Sequence, residues 1–334
     1  MVKKAFNYLR NQDYFFSLLI CLAFAIALAV FSPYFLVRNN LDSLQTTIAP
    51  NSIIAIGMML LIILGMFDLS VGSVMGMSGI VAGYVLSRTA LVQALGEPLV
   101  VLLAVLAGLA VGLVVGLING VLVAKAKIIP LITTIGTMYI VRGFAEMIMT
   151  SETGYSLIGF PKAFIDFGRT KFLGLYLMTW VCLILLAVFG LVLTKTHIGR
   201  KLYYIGGNRS SALSLGMNVD KITIICFMIS GLLSSIAGIL SVSRFESASR
   251  YLGVNLQMDI LIACIIGGGS FLGGKGDMWG VFFGTAFVAL LQNGFNLFEI
   301  NPLLKSVVIG AVLAIVVAVD GYLYLQKKRA LGKV

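Results

Sequence analysis

Three ionisable residues lie in or beside apolar stretches at spacings that could carry chemistry. Arg142 and Glu146 are four residues apart, so a helix would place both on one face, where an ion pair is the expected arrangement. Asp68 and Ser70 come directly before another apolar run. Their side chains could accept hydrogen bonds from the first backbone amides of a helix, and Asp68 could alternatively line a path for a solute.

Neutral polar residues also fall within or beside the apolar stretches. Each could either hydrogen-bond to a neighbouring helix or line a hydrophilic pathway. They are Asn51, Asn119, Thr133, Thr134 and Asn293. Together with Asp68, Ser70, Arg142 and Glu146, they are the candidate residues of a translocation pathway.

The sequence offers no constellation for catalysis or for a metal ion. His197 is the only histidine, and the four cysteines lie in apolar runs without C-x-x-C spacing, which predicts reduced, buried packing residues. The cysteines are Cys21, Cys182, Cys226 and Cys264. The stretch from Gly269 to Lys275 fits G-x-x-x-x-G-K, but Gly276 follows where a Ser or Thr must bind magnesium. We therefore expect no catalytic residue, no metal site and no cofactor, and energy must come from another chain unless transport is passive.

The composition indicates a membrane protein. Of 334 residues, 60% are hydrophobic and only 11% are charged, which excludes a water-soluble enzyme and a disordered chain. A helix needs about 20 apolar residues to cross a bilayer. Ten segments approach that length: Tyr14–Phe31, Ile48–Phe67, Ser70–Leu86, Leu99–Ala124, Ile128–Met149, Leu173–Leu193, Ile222–Val242, Leu256–Leu272, Met278–Phe295 and Leu303–Leu325. The eighth contains Gly267-Gly268-Gly269 and could be partly a loop. No linker divides residues 1–334, so we expect a single membrane domain.

The distribution of charge predicts the topology. The net charge of +11 comes from Lys and Arg residues between the apolar segments, which indicates cytoplasmic loops and not a nucleic-acid partner. With ten spans both termini are cytoplasmic, whereas an odd number would place the basic tail Lys327-Lys328-Arg329 outside. Two connections are long: residues 151–172, expected outside, and residues 194–221, expected inside.

Two rows of glycines recur at helical spacing in the third and fourth predicted spans. One row is Gly72, Gly76, Gly79 and Gly83, and the other is Gly108, Gly112, Gly116 and Gly120. Such rows let a neighbouring helix approach closely, which is the main source of helix association in lipid. A pore lined by glycine is the alternative.

The basic connection 194–221 has a pattern suited to docking. The small residues from Ser210 to Ser214 predict a short helix that stops at Gly216, and Gly206-Gly207-Asn208 predicts a tight turn. A short helix between turns could enter a groove on a cytosolic partner. An ordinary basic loop is the alternative.

Several motifs occur along nearly the whole chain in the order that one family shows. They are Asp68-Leu69-Ser70-Val71-Gly72-Ser73, Gly116-Leu117-Ile118-Asn119-Gly120, Ile129-Pro130, Thr133-Thr134-Ile135-Gly136-Thr137, Arg142-Gly143, Gly199-Arg200, Tyr204-Ile205-Gly206-Gly207-Asn208, Gly216-Met217-Asn218-Val219, Gly267-Gly268, Gly273-Gly274-Lys275-Gly276 and Asn293-Gly294. Each is weak alone, but the ordered set closely resembles the permease subunits of ribose-type ABC sugar importers. Met66-Phe67 and Leu131 depart from the family pattern, which leaves the sugar open.

This resemblance implies an all-α, polytopic protein of about ten transmembrane helices, of the vitamin-B12-importer-like (type II) ABC permease class. It implies a bacterial inner-membrane subunit that pairs with a second permease subunit, identical or not. A cytosolic ABC ATPase would bind the ATP, and a periplasmic sugar-binding protein would deliver the sugar. The residues expected to face the ATPase are Gly199, Arg200, Gly206, Gly207, Asn208, Ala212 and Gly216. Charges on the outer turns could meet the binding protein or be simply solvated: Arg88, Glu97, Arg244, Glu246 and Arg250.

Other functions remain open from the sequence. The same machinery could carry a nucleoside, an autoinducer or an amino acid. A stand-alone secondary transporter would instead need Asp68, or the Arg142 and Glu146 pair, as its coupling site. An intramembrane enzyme lacks any nucleophile, base or metal constellation.

Overall fold

A computed structural model describes residues 14–150 and 154–301 and, beyond these, only isolated residues between 304 and 318. The tenth predicted span, Leu303–Leu325, therefore lies mostly outside the described residues, and both chain termini lie outside them.

Helices make up most of the described chain, because a backbone in lipid must satisfy its own hydrogen bonds. In chain order they are α1 (Phe15–Phe31), α2 (Arg38–Ile63), α3 (Val71–Leu86), α4 (Thr89–Leu95), α5 (Glu97–Ala124), α6 (Pro130–Thr150), α7 (Lys162–Arg169), α8 (Leu177–Lys195), α9 (His197–Gly207), α10 (Arg209–Ser214), α11 (Val219–Phe245), α12 (Leu256–Ile266) and α13 (Met278–Leu297). The protein is an all-α, polytopic membrane protein.

The described helices that could each cross a membrane are fewer than the predicted spans. Six are long and apolar enough, namely α2, α5, α6, α8, α11 and α13, and a seventh span results if α3 and α4 are joined across their 63° bend. Helices α1 and α12 have 17 and 11 residues, too few for that test. The expectation that the eighth segment is partly a loop is confirmed, because α12 ends at Ile266.

Helix α2 lies at the centre of the bundle. Every residue from Asn51 to Ile63 is buried, and α2 packs against α8, α11, α12 and α13. A helix that is apolar all round is expected inside a bundle. By contrast, only 28% of the most apolar window of α5 and 22% of that of α8 are buried, so these helices lie on the outside of the bundle.

The glycine row on α5 packs against α11, as the sequence predicts. A Cβ atom on Gly112 would lie 2.1 Å from the carbonyl oxygen of Gly231, and one on Gly116 would lie 2.5 Å from that of Phe227. These distances are too short for any side chain. The two helices therefore cross in backbone contact, and the close-packing interpretation of this row is confirmed.

Short strands and helices mark two opposite ends of the bundle, separated by the length of α8. We call the first the hairpin end, because β2 (Lys171–Phe172) and β3 (Leu175–Tyr176) form an antiparallel hairpin there. Nearby, β1 (Ser156–Leu157) pairs antiparallel with β4 (Ala248–Ser249). The predicted loop 151–172 thus includes α7 and two strands. We call the second the α9 end, and it carries α9 and α10.

Candidate translocation pathway

The chain crosses the bundle after α11 as a broken span. Residues 246–255 form no helix: β4 is followed by consecutive turns over residues 250–255, and these run beside α3, where the glycine row gives them room. A Cβ atom on Gly72 would lie 2.4 Å from the carbonyl oxygen of Gly253. Helix α12 then continues antiparallel to α13, with Gly267 and Gly280 in backbone contact. Gly72 and Gly76 of the row on α3 therefore receive an irregular segment, where the sequence predicts a helix. In membrane proteins such irregular backbone is tolerated where it is buried in protein or lines a cavity.

Arg142 fastens this irregular segment to its neighbours. Its guanidinium donates hydrogen bonds to the carbonyl oxygens of Arg250 at 3.2 Å and Leu252 at 3.1 Å, and to that of Gly72 at 3.4 Å. The expected ion pair with Glu146 is absent from the contacts of these two described residues. The physical reason is that irregular backbone in a bundle leaves carbonyls unpaired, and a guanidinium offers five donors in a fixed fork.

Replacing Arg142 with lysine should loosen the broken span. One ammonium group cannot serve three carbonyl oxygens in this geometry, so we expect a loss of roughly 2 kcal/mol of stability, the scale of hydrogen bonds to a charged group. Thermal unfolding of the purified protein measures it. The matched control is Arg200→Lys at the exposed α9 end, which should unfold like the unchanged protein. Equal melting temperatures for both variants would contradict this role.

A cavity of about 400 Å³ opens where the turns of the broken span are followed by α12. Its wall comes from α6, from the beginning of α3 and from the beginning of α12. Of the predicted pathway residues, Arg142 and Glu146 line it. Tyr139 and Asn255 also line it, and neither is among the predicted pathway residues. Tyr139 is three residues before Arg142, so helical spacing could have placed it on the same face of α6 as Arg142. Nothing in the sequence indicates that Asn255 lies there.

Asp68 and Ser70 lie in a closed polar cluster. One Asp68 carboxylate oxygen accepts from the Ser70 amide at 2.9 Å and hydroxyl at 2.5 Å, and the other accepts from the Ser230 hydroxyl at 3.2 Å. The Asn119 amide donates to the Ser70 hydroxyl at 3.0 Å. All four residues are fully buried. The cluster therefore joins the α2–α3 connection to α5 and α11, and in this conformation its side chains contact protein.

The remaining pathway candidates are also buried. Thr133 and Thr134 donate hydrogen bonds back to carbonyl oxygens of their own chain, at Ile129 and Pro130. Asn293 on α13 exchanges hydrogen bonds of 2.6 and 3.2 Å with Asn40 on α2. Asn51 is 9% exposed in the middle of α2.

The α9 end contains the short helix that the sequence predicts. Helix α10 begins after Asn208, whose side-chain oxygen accepts from the Ser211 amide at 3.0 Å, and Gly216 follows with a φ of +73°. The predicted tight turn at Gly206-Gly207-Asn208 is wrong, because both glycines end α9 and the chain breaks at an extended Asn208. Ala212 is buried, whereas Gly207 is exposed.

Four glycines meet beneath α9, and we call them the glycine junction: Gly65, Gly206, Gly273 and Gly274. A Cβ atom on Gly206 would lie 1.7 Å from the carbonyl oxygen of Ile63, which also accepts from the Gly274 amide at 2.8 Å. The G-x-x-x-x-G-K match in the sequence belongs to this packing. The junction joins α9 to the end of α2, a few residues before Asp68.

Two other predicted contact residues at the α9 end have clear neighbours. Gly199 lies against the end of α8, with its Cβ position 2.2 Å from the Leu193 carbonyl oxygen. Arg200 is exposed and lies 2.7 Å from the His197 ring nitrogen.

The charges predicted for the outer turns fall into two groups at the hairpin end. Arg88 and Glu97 are exposed on either side of α4. The other three tie elements of the fold together. Arg244 donates to the Tyr176 hydroxyl at 2.8 Å, Glu246 accepts from Arg169 at 2.5 Å, and the Arg250 amide donates to the Tyr155 carbonyl oxygen at 3.3 Å.

The four cysteines are free and buried, as expected. Among the residues that the structure describes, no three His, Cys, Asp or Glu side chains are grouped to hold a metal ion.

Comparison with known proteins identifies the family. A family model described as the permease component of the branched-chain amino acid transport system matches residues 40–317. The chain belongs to this permease family. It is 36% identical to the L-arabinose transport system permease protein AraH of Escherichia coli, with 96% of this chain and 94% of the relative aligned. It is 34% identical to the ribose import permease protein RbsC of Haemophilus influenzae, with 96% of each chain aligned.

A third relative in the permease family extends the range of sugars. The chain is 30% identical to the galactose/methyl galactoside import permease protein MglC of Haemophilus influenzae, over 97% of this chain and 98% of the relative. No solved structure matches this chain. The family and the apolar helices together establish a multi-pass inner-membrane permease subunit, a transport component without catalysis of its own.

Proposed function

We propose that this chain is the membrane-spanning subunit of an ATP-driven, binding-protein-dependent importer of a monosaccharide, and that two permease subunits enclose the pathway. The observation that carries the proposal is the end-to-end similarity to permeases for ribose, L-arabinose and galactose. The cavity at a broken span supports it, because transporters bind solutes where helices are discontinuous.

We further propose the ten-span, type II architecture, a single domain over residues 1–334 and cytoplasmic termini. The α9 end then lies in the cytoplasm and the hairpin end in the periplasm. Lys and Arg residues cluster at the α9 end, which supports this orientation. Lys127 and Lys125 lie 2.8 and 3.7 Å from Asp220, and Arg209 on α10 lies 4.0 Å from it.

The proposed site for the cytosolic ABC ATPase is the outer surface of α9 and α10. It exposes Tyr204, Leu213 and Leu215, which are 64%, 55% and 72% exposed, beside Arg200 and Gly207. Apolar side chains this exposed on a polar connection are typical of a contact with another protein. The permease itself would hold no cofactor, since the ATPase binds the ATP.

The proposed site for the periplasmic sugar-binding protein is the hairpin end. Arg88 and Glu97 are exposed and could meet opposite charges there, although the Arg88 guanidinium also contacts the ring and hydroxyl of Tyr84. Arg244, Glu246 and Arg250 would contribute mainly by holding the surface in shape. Charged rims chiefly set the rate of association, and they do so most strongly at low salt.

Uptake into proteoliposomes tests the proposed function. The chain is reconstituted alone and then with its ATPase and binding protein, with ATP inside or absent. We expect uptake of ribose, arabinose or galactose only in the complete, ATP-fed system. Because the family description names branched-chain amino acids, leucine belongs in the panel, and uptake of leucine without any sugar would overturn the choice of solute.

The same assay distinguishes an ATP-driven importer from a stand-alone secondary transporter. Uptake by the chain alone would favour that class, and loss of that uptake in Glu146→Gln would assign Glu146 as the coupling site. In an ATP-driven importer the partner ATPase supplies the energy, so Glu146→Gln should leave uptake dependent on ATP.

A further inference from the structure

We propose that the cavity at the beginning of α12 is a binding site for a neutral, polyhydroxylated solute of monosaccharide size during its passage. The inference rests on the proposed function and adds the place and the chemistry of the contact. The cavity volume of about 400 Å³ lies near the lower end of ligand pockets, which span roughly 300–1,000 Å³.

The wall of the cavity combines an aromatic ring with hydrogen-bonding groups from three segments. Tyr139 on α6 is 69% exposed, and Glu146 and Asn255 are also exposed. Ser73 and Gln257 add a hydroxyl and an amide. A flat ring can cover the C–H face of a sugar, while amides, a hydroxyl and a carboxylate can bond to the hydroxyl groups around its edge.

The charges of the wall favour a neutral solute over one that carries a carboxylate. The Arg142 guanidinium already donates to three carbonyl oxygens, so it is poorly placed to bind an anionic group. The Glu146 carboxylate would repel such a group. An amino acid would bring a carboxylate and an ammonium group into this field, whereas a sugar brings no charge.

The backbone at the break adds donors that suit hydroxyl oxygens. Asn255 has a φ of +60°, and its side chain makes no capping bond to α12. The first amides of a helix have no partner within the helix, and in α12 that of Leu256 donates to the Gly253 carbonyl oxygen at 3.4 Å. A hydroxyl oxygen could accept from the amides that follow without the strong attraction of a full charge, which keeps binding weak enough for release.

A labelling experiment on the assembled importer tests occupancy. Met258 lines the cavity and is 39% exposed, so Met258→Cys provides a reporter thiol, and the four native cysteines are buried. The probe is N-ethylmaleimide, with graded D-ribose, L-arabinose, D-galactose or leucine. We expect at least one sugar to slow labelling and leucine to leave it unchanged.

Ile140→Cys is the matched control, because Ile140 follows Tyr139 on α6, is 59% exposed and lies outside the cavity wall. Sugar should leave its labelling rate unchanged. Protection by leucine instead of sugar, equal protection at both positions, or no protection by any of the sugars would each overturn the proposed site.

Transport kinetics give a second, independent readout. We expect Tyr139→Ala to lower the ratio of maximal uptake rate to half-saturating sugar concentration about tenfold, equivalent to the loss of one good contact, while Tyr139→Phe retains most of it. Equal rates for the alanine variant and the unchanged importer would overturn the role of Tyr139. If the unchanged importer takes up leucine and no sugar, the proposed function fails, and the labelling result still decides the site separately.

Discussion

Replacing Gly112 with alanine will destabilise the permease, because α5 and α11 cross there in backbone contact. The added Cβ atom would lie 2.1 Å from the Gly231 carbonyl oxygen and 2.2 Å from the Ser235 hydroxyl oxygen. Neither helix can move aside without disturbing a packed core. We expect a loss of about 1–3 kcal/mol, or more if the helices must separate, measured as a lower melting temperature in detergent.

Gly136→Ala is the matched control for this substitution. Gly136 lies on α6, and a Cβ atom there would have no neighbour within 4 Å. Alanine favours a helix over glycine by roughly 1 kcal/mol in water, so the control should be neutral or slightly stabilising. If Gly112→Ala and Gly136→Ala melt alike, the close crossing of α5 and α11 is contradicted.

The two glycine rows illustrate what the sequence can predict about this fold. Spacing along a helix predicts that Gly112 and Gly116 share a face, and that this face admits a close neighbour. It does not name the neighbour. For α5 the neighbour is α11, whereas Gly72 and Gly76 in the similar row on α3 lie against the irregular segment at Leu252 and Gly253. Both partners come from residues far along the chain, which local spacing cannot identify.

Arg142 shows the same limit at the candidate site. Helical spacing correctly places Arg142 and Glu146 on one side of α6, and both line the cavity. The predicted ion pair fails because the irregular segment after α11 presents carbonyl groups that compete for the guanidinium. The sequence places these residues in a polar connection between two predicted spans, and nothing in it shows that the connection packs against α3 and α6.

The isolated polar residues show most clearly what the sequence cannot predict, namely which side chains face a cavity. Asp68 and Asn119 are buried in a hydrogen-bonded cluster, whereas Glu146 is exposed to the cavity. All three look similar in the sequence, because each is an isolated polar residue beside apolar neighbours. Only the positions of α5, α6 and α11 around them decide which side chains reach a solute.

Replacing Gly206 with alanine is expected to uncouple ATP hydrolysis from sugar uptake. The new Cβ atom would lie 1.7 Å from the Ile63 carbonyl oxygen, so α9 must shift and the hydrogen bond from Gly274 to that oxygen must break. Under the proposed function, α9 receives the motion of the ATPase, and the glycine junction passes it to α2. A rigid contact can transmit a displacement, whereas a loosened one absorbs it. We expect sugar uptake per ATP hydrolysed to fall severely in proteoliposomes.

Gly207→Ala provides the control at the neighbouring position, because a Cβ atom on Gly207 would have nothing within 4 Å. It should assemble with the ATPase and transport normally. A bulky Gly207→Trp should instead weaken co-purification with the ATPase while the permease still folds, since Gly207 is exposed on the proposed docking surface. Transport at the normal ratio in Gly206→Ala would contradict the junction as the mechanical link. Loss of transport in Gly207→Ala as well would show that the whole α9 end, and not the contact at Ile63, determines coupling.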